Sequence, residues 1–249
     1  MTRILLLGGT TEASRLAKAL ADAGADAVFS YAGRTNNPTQ QPLPTRVGGF
    51  GGVEGLEAYL NAENITHVID ATHPFAAQMS MNAVAACANT GVSLCAFERE
   101  AWTPDAADDW QFVPDMAGAV AALPDDPTRV FLAIGRQHIA DFAVKPQHDY
   151  LLRLVDPPEG ALPLPNAEAV VARGPFTVAD DTGLMENHGT QLIVAKNGGG
   201  LGARAKLDAA RALGVPVIII DRPAIAPRTI LRSVDEVMGW LPHSARRGV

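Results

Sequence analysis

Two glycine turns and one histidine loop hold the residues whose types and spacing could do chemistry. The first turn is Ile4-Leu5-Leu6-Leu7-Gly8-Gly9-Thr10-Thr11-Glu12-Ala13, an apolar run that passes through two glycines into a helical pattern. A strand that turns on glycine into a helix presents backbone N–H groups and the positive end of the helix dipole, which suits a phosphate. Gly8 and Gly9 let the main chain approach an anion, Thr10 and Thr11 add hydroxyls, and Glu12 falls in the first helical turn. Thr10 and Ala13 stand where the second and third glycines of a dinucleotide fingerprint would be, so a tight turn without ligand is the plain alternative. The second turn, Lys196-Asn197-Gly198-Gly199-Gly200-Leu201-Gly202-Ala203-Arg204-Ala205-Lys206, also leaves an apolar run and leads into a helical pattern. Its backbone N–H groups, with Lys196, Arg204 and Lys206, form a second anion cradle.

The loop between them, Asp70-Ala71-Thr72-His73-Pro74-Phe75-Ala76, ends an apolar run. Thr72 or His73 is expected near a helix cap and Pro74 in the first helical position. In open parallel sheets ligands bind at the carboxyl edge, so Asp70, Ala71, Thr72 and Pro74 should border the ribose and nicotinamide of a dinucleotide. His73 could donate a proton or bind an anion; a purely structural capping histidine is the competing reading, and Asp70 has a similar structural alternative. An NAD site places an acid after the second strand for the ribose hydroxyls, whereas this chain reads Ser30-Tyr31-Ala32-Gly33-Arg34. Ser30, Gly33 and Arg34 suit a 2′-phosphate instead, which favours NADPH over NADH. Arg34 has the alternative of a solvated loop arginine. Arg136, Arg153, Arg173 and Arg222 stand near expected strand ends, each singly an ordinary ion pair and together the mark of an acidic substrate.

Elements must position these residues. Short apolar, β-branched runs predict strands over 4–7, 27–31, 46–48, 68–71 and 93–97, with helices over 12–23, 54–62 and 75–89. An acid-rich stretch from Trp102 to Asp109 breaks the rhythm, and strands are expected again over 130–134, 150–155, 192–195 and 217–220, with helices over 178–187 and 203–213. The class is α/β, with parallel sheets flanked by helices in two domains, 1–103 for the nucleotide and 104–249 for the substrate. The segment 156–165 is expected as an ordered connector inside the second domain. No internal repeat is visible, and a terminal strand crossing from one sheet to the other stays open.

A chain of 249 residues with a formal charge of -7 repels polyphosphate backbones, so no nucleic acid is expected as partner. No window approaches the roughly 20 apolar residues of a membrane helix, so no membrane span, no signal peptide and a cytoplasmic location are expected. Cys87 and Cys95 cannot build a disulfide framework. Metal spacing, a Ser-His-Asp ordering and a Tyr-x-x-x-Lys relay do not occur; Tyr31, Tyr59 and Tyr150 all lack a lysine four residues later. Hydride transfer remains, with no metal.

Gly8-Gly9-Thr10-x-Glu12, Asp70-Ala71-Thr72-His73-Pro74-Phe75-Ala76, Arg173-Gly174-Pro175-Phe176, and Lys196-Asn197 before glycines with Lys206 downstream together resemble the precorrin-6A reductase family of corrin biosynthesis, over about residues 3–240. The resemblance implies two Rossmann-like domains with NADPH on the first and the macrocycle in the cleft between them. It implies reduction of one carbon-carbon double bond, precorrin-6A to precorrin-6B, by direct hydride transfer, with His73 the first candidate for proton donor. The polycarboxylate rim of a tetrapyrrole-derived substrate fits Arg136, Arg153, Arg173, Lys196, Asn197, Gly198, Gly199, Arg204, Lys206 and Arg222 as its binding residues. Contacts with neighbouring pathway enzymes are a further expectation of partners. Gly198 departs from the family's Lys-Asn-Ser-Gly-Gly pattern, which removes a hydroxyl but keeps the backbone cradle. The competing functions are a nucleotide-binding regulatory module without turnover and an NADPH reductase of another small acidic substrate.

Overall fold

A computed structural model describes residues 2–33, 38–158 and 160–244. The chain forms two compact units, residues 1–100 with 224–249 and residues 101–223.

The first unit is built on β1 (Arg3–Leu7), β2 (Asp26–Tyr31), β3 (Thr45–Val47), β4 (His67–Asp70) and β5 (Ser93–Phe97). Its helices are α1 (Thr11–Asp22), α2 (Val53–Ala62) and α3 (Ala77–Thr90). Alternation along β1 sends Ile4 and Leu6 to one face, and Leu5 and Leu7 to the other, where α2 and α3 pack. α1 covers the first of these faces with Ala13, Leu16, Ala17 and Leu20, the i, i+3, i+4, i+7 stripe of an amphipathic helix. With both faces covered the central strands are apolar throughout, which is why they were legible as strands.

The second unit contains β6 (Trp110–Val113), α4 (Met116–Ala121), β7 (Arg129–Ala133), a 3-10 segment (Arg136–Val144), β8 (Asp149–Leu154) and β9 (Ala167–Val171). It continues with α5 (Val178–His188), β10 (Leu192–Lys196), α6 (Ala205–Leu213) and β11 (Val217–Ile220). The chain then returns to the first unit as β12 (Thr229–Leu231) and α7 (Val234–Ser244). The expected division at 103/104 with one domain running to 249 therefore needs correction. β12 lies parallel to β5 with Ile230 opposite Ala96, and α7 packs beside α1.

Every strand pair is parallel, in the orders β12-β5-β4-β1-β2-β3 and β6-β11-β10-β7-β8-β9. The two orders are one topology. A first strand (β1, β7) is flanked on one side by the next two strands and on the other by the following two, and a sixth strand closes the row. The unit that begins the chain takes its sixth strand from β12; the other takes it from β6, which precedes its own first strand. This duplication has no counterpart in sequence, where no repeat shows. The connector over 156–165 joins β8 to β9 within one unit, as expected.

Candidate functional site

In an open parallel sheet the ligand crevice forms where the strand order reverses, which in the first unit is between β1 and β4. Leu7 and Asp70 stand side by side at that point. Beyond Leu7, the Gly8 N–H donates to Ser30 O at 2.9 Å. A Cβ on Gly8 would lie 2.0 Å from Cζ of Phe29, and Gly9 has φ of 124°, so both glycines are required by geometry. Thr10 caps α1: its Oγ1 accepts from the Ala13 N–H at 3.1 Å and donates to Ala71 O at 2.8 Å. That hydroxyl fastens the β1–α1 turn to the β4–α3 loop. The expectation of a Thr10 hydroxyl directed at phosphate is corrected accordingly, while Thr11 stays exposed. Glu12 is paired with Arg99 at 2.9 Å, and Thr10, Glu12, Thr72, Pro74, Phe97, Glu98 and Arg99 line one hollow at the switch point. Arg99 and Glu98 follow a strand without any motif of their own, which is why the sequence did not single them out.

Asp70 is buried and fully engaged. Its Oδ1 accepts from the Thr72 N–H at 3.1 Å and the Thr72 hydroxyl at 2.7 Å, and its Oδ2 accepts from the Ser80 hydroxyl at 2.6 Å. Asp70 thus shapes the loop, and its carboxylate is not turned to a ribose. Burial and this carboxylate push the Cys87 thiol up to about 12 and raise that of Cys95 too, so neither is a thiolate nucleophile. Helix α3 starts at Ala77 rather than near Phe75, because Pro74 and Phe75 form a turn closed by the Ala76 N–H to His73 O bond at 2.7 Å. His73 is exposed, with Nδ1 accepting from the Phe75 N–H at 3.2 Å. With Nδ1 acting as acceptor in that bond, the ring N–H is on Nε2.

At the end of β2, Gly33 has φ of 77° and Ser30 is buried; Arg34 lies outside the described residues. Arg46 of β3, opposite Ser30, was not singled out from sequence, because a lone arginine in a three-residue strand carries no motif. Its Nη1 donates to Ser30 Oγ at 2.7 Å and Gly48 O at 2.9 Å.

In the second unit, the ends of β7, β9, β10 and β11 bring Arg136, Arg173, Lys196 and Arg222 to one carboxyl edge of the sheet. Gly199 and Gly200, with φ of 69° and 68°, follow Asn197 and Gly198 in the loop beside them. Four of the expected ligands are engaged in internal contacts. Arg153 is enclosed against Asp181 and under the Phe176 ring at 3.8 Å, Arg204 pairs with Asp208 at 3.2 Å, and Lys206 is buried, donating to Ala203 O below the Trp102 ring. Asn197 is buried, bonded through its side chain to the Trp102 backbone. Arg222 also buttresses the cradle, donating to Asn197 O at 3.0 Å. The wider hollow of this unit, lined by Asp109, Gln111, Thr128, Gln191 and Pro216 among others, lies at the opposite, amino-terminal edge.

Among the described residues no cluster of three His, Cys, Asp or Glu could hold a metal ion, and no helix is long and apolar enough to cross a membrane. The glycine turn, the α1 amino terminus and a β2 end without a carboxylate fit a dinucleotide phosphate ligand.

The family model Precorrin-6x reductase CbiJ/CobK matches residues 3–242. The chain is 68% identical to precorrin-6A reductase of Rhodobacter capsulatus over 100% of both chains. It is 48% identical to precorrin-6A reductase of Sinorhizobium sp over 97% of this chain and 93% of that one. A solved structure of CobK precorrin-6A reductase superposes with a TM-score of 0.95 at 67% identity, covering 100% of each chain. With two parallel six-stranded units of matching architecture and a sequence match along nearly its whole length, the chain belongs to the precorrin-6x reductase family, and is an oxidoreductase of corrin biosynthesis.

Proposed function

We propose that this protein reduces one carbon-carbon double bond of precorrin-6A to give precorrin-6B, with NADPH as reductant bound on the first unit. The observation that carries the cofactor reading is the β1–α1 glycine turn at the strand-order reversal, beside a β2 end that offers Ser30 in place of a carboxylate. When bound, the nicotinamide supplies a hydride to the conjugated carbon. The protein's part is to bind, orient and exclude water. Gly8, Gly9 and the first N–H groups of α1 hold the pyrophosphate, and Ala71 and Thr72 border the nucleotide. Glu12, neutralised by Arg99, holds the turn without repelling the phosphates. Positioning of this kind contributes on the order of 7 kcal/mol or more in favourable cases. His73 holds the proton for the neighbouring carbon on Nε2.

The carboxylates of the macrocycle are held at the carboxyl edge of the second sheet by Arg136, Arg173, Lys196 and the backbone at Gly198 and Gly199. Precorrin-6A reductase is the name of both relatives, and the basic edge agrees with a polycarboxylate substrate. The test is anaerobic absorbance at the nicotinamide band with NADPH, NADH and precorrin-6A. Oxidation of NADPH that requires the macrocycle supports the reading; binding of NADPH with no oxidation removes it and favours a regulatory nucleotide-binding role.

A further inference from the structure

Arg46 is the middle residue of the short strand β3, in register with Ser30 of β2. Its guanidinium donates to Ser30 Oγ at 2.7 Å, Gly48 O at 2.9 Å and Gly49 O at 3.2 Å, and lies 3.9 Å from the centre of the Phe50 ring. The side chain is half-buried. All these partners are neutral. In the same unit Arg3 meets Asp26 and Glu63, Arg99 meets Glu12, Arg228 meets Glu98 and Arg232 meets Glu100. Among the described residues no carboxylate stands within ion-pair distance of Arg46.

A half-buried cation without a counter-charge is costly to hold, and here it is held rigidly by three oxygens and an aromatic face. The guanidinium has five N–H groups, of which the three bonds use three, so two remain. β3 is two strand spacings, about 10 Å, from β1, too far for the pyrophosphate at the α1 turn but at the β2 edge where such sites read the adenosine ribose. We infer that Arg46, aligned by Ser30, is the residue that selects the 2′-phosphate of the nucleotide. The inference rests on the proposal that this unit binds NADPH, and it places the selectivity in β3 rather than only in the loop after β2. The guanidinium fork matches the phosphate oxygens, and Ser30 takes the place of the acid that would repel them.

The test is calorimetric titration of the full chain and of Arg46→Gln and Arg46→Lys with NADPH, NADH, adenosine 2′,5′-bisphosphate and 5′-AMP, with thermal unfolding recorded for each variant. Charge-assisted bonds to phosphate predict that Arg46→Gln weakens NADPH and the bisphosphate by about 10- to 100-fold, with NADH and 5′-AMP changed less than about threefold. Arg46→Lys keeps the charge without the fork and should fall between. An equal loss for all four ligands, or none, overturns the inference and leaves Arg46 a pin for the Gly48-Gly49 turn. Collapse of selectivity in Arg34→Ala with Arg46→Gln unaffected overturns it likewise. If the unaltered protein binds neither NADPH nor NADH, or prefers NADH, the NADPH proposal itself fails and this inference with it.

Discussion

The side-chain amide of Asn197 holds both main-chain polar groups of Trp102, accepting from its N–H at 2.7 Å and donating to its C=O at 3.1 Å. The Trp102 indole N–H in turn donates to Gly200 O at 2.7 Å. The first residues of the second unit are therefore laced to its glycine loop. Asn197→Ala leaves two buried backbone groups unpaired and should cost about 2–4 kcal/mol in urea unfolding. Asn197→Asp, which can accept but not donate, should recover part of that. A loss below 0.5 kcal/mol for the alanine variant, about the effect of an ordinary surface substitution, would remove the clasp from the account.

Gly8 and Phe29 compete for the same space. Gly8→Ala should destabilise by about 1–3 kcal/mol through overpacking and also weaken nucleotide binding. Replacing Phe29 by Leu in that background opens room, so the double variant should be more stable than the sum of the single losses, with a coupling of about 0.5–3 kcal/mol. Additive losses would show that the turn accommodates the methyl by another route.

His73 carries two separable functions, the acceptor for Phe75 N–H and the Nε2 proton. His73→Asn keeps an acceptor two residues before Phe75 and loses the ring proton, whereas His73→Ala loses both. If the proton is used, both variants should lose about 100-fold or more in kcat with little change in NADPH affinity. Full kcat in His73→Asn would reduce His73 to a turn-forming residue.

Lys196→Ala should raise KM for the macrocycle by about 10- to 100-fold and leave the NADPH dissociation constant unchanged, since the charge sits in the other unit. Steady-state kinetics at saturating NADPH reads the first quantity and nucleotide titration the second. A regulatory module would be indifferent to the change.

Burial lowers the pKa of His67, His148 and His188 below 6.5 in the folded protein. The unfolded chain then binds more protons than the folded one as pH falls through that value, so stability is full above about pH 7 and declines towards pH 5. The urea midpoint should follow this fall, and His148→Gln, which retains an acceptor for the Thr128 N–H, should flatten it. A midpoint that rises on acidification would contradict the enclosed histidines.

The central strands and the helices between them were legible because burial on both faces writes a continuous apolar run, as in Val217 to Ile220. Of the four edge strands, β3 was legible over 46–48 and the other three were not. β6, β9 and β12 leave side chains such as Phe112, Val171 and Ile230 exposed and are too short to show a period. At the site, the glycine turns were found because positive φ at Gly9, Gly199 and Gly200 and the Phe29 ring against Gly8 favour glycine there. Asp70, Arg153, Asn197 and Lys206 were read as ligands from residue type, while the structure commits their polar atoms to internal bonds; sequence shows the charge but not the partner. Arg46 illustrates the reverse, a cation with nothing in its neighbourhood of the chain to mark it.

Because β12 completes a sheet whose other five strands lie within the first hundred residues, growth of the chain and completion of the fold run in different orders. On the ribosome, the flank of β5 stays bare while the entire second unit is made, an unpaired edge open to wrong partners for most of translation. The unit that is synthesised first is the last to be finished.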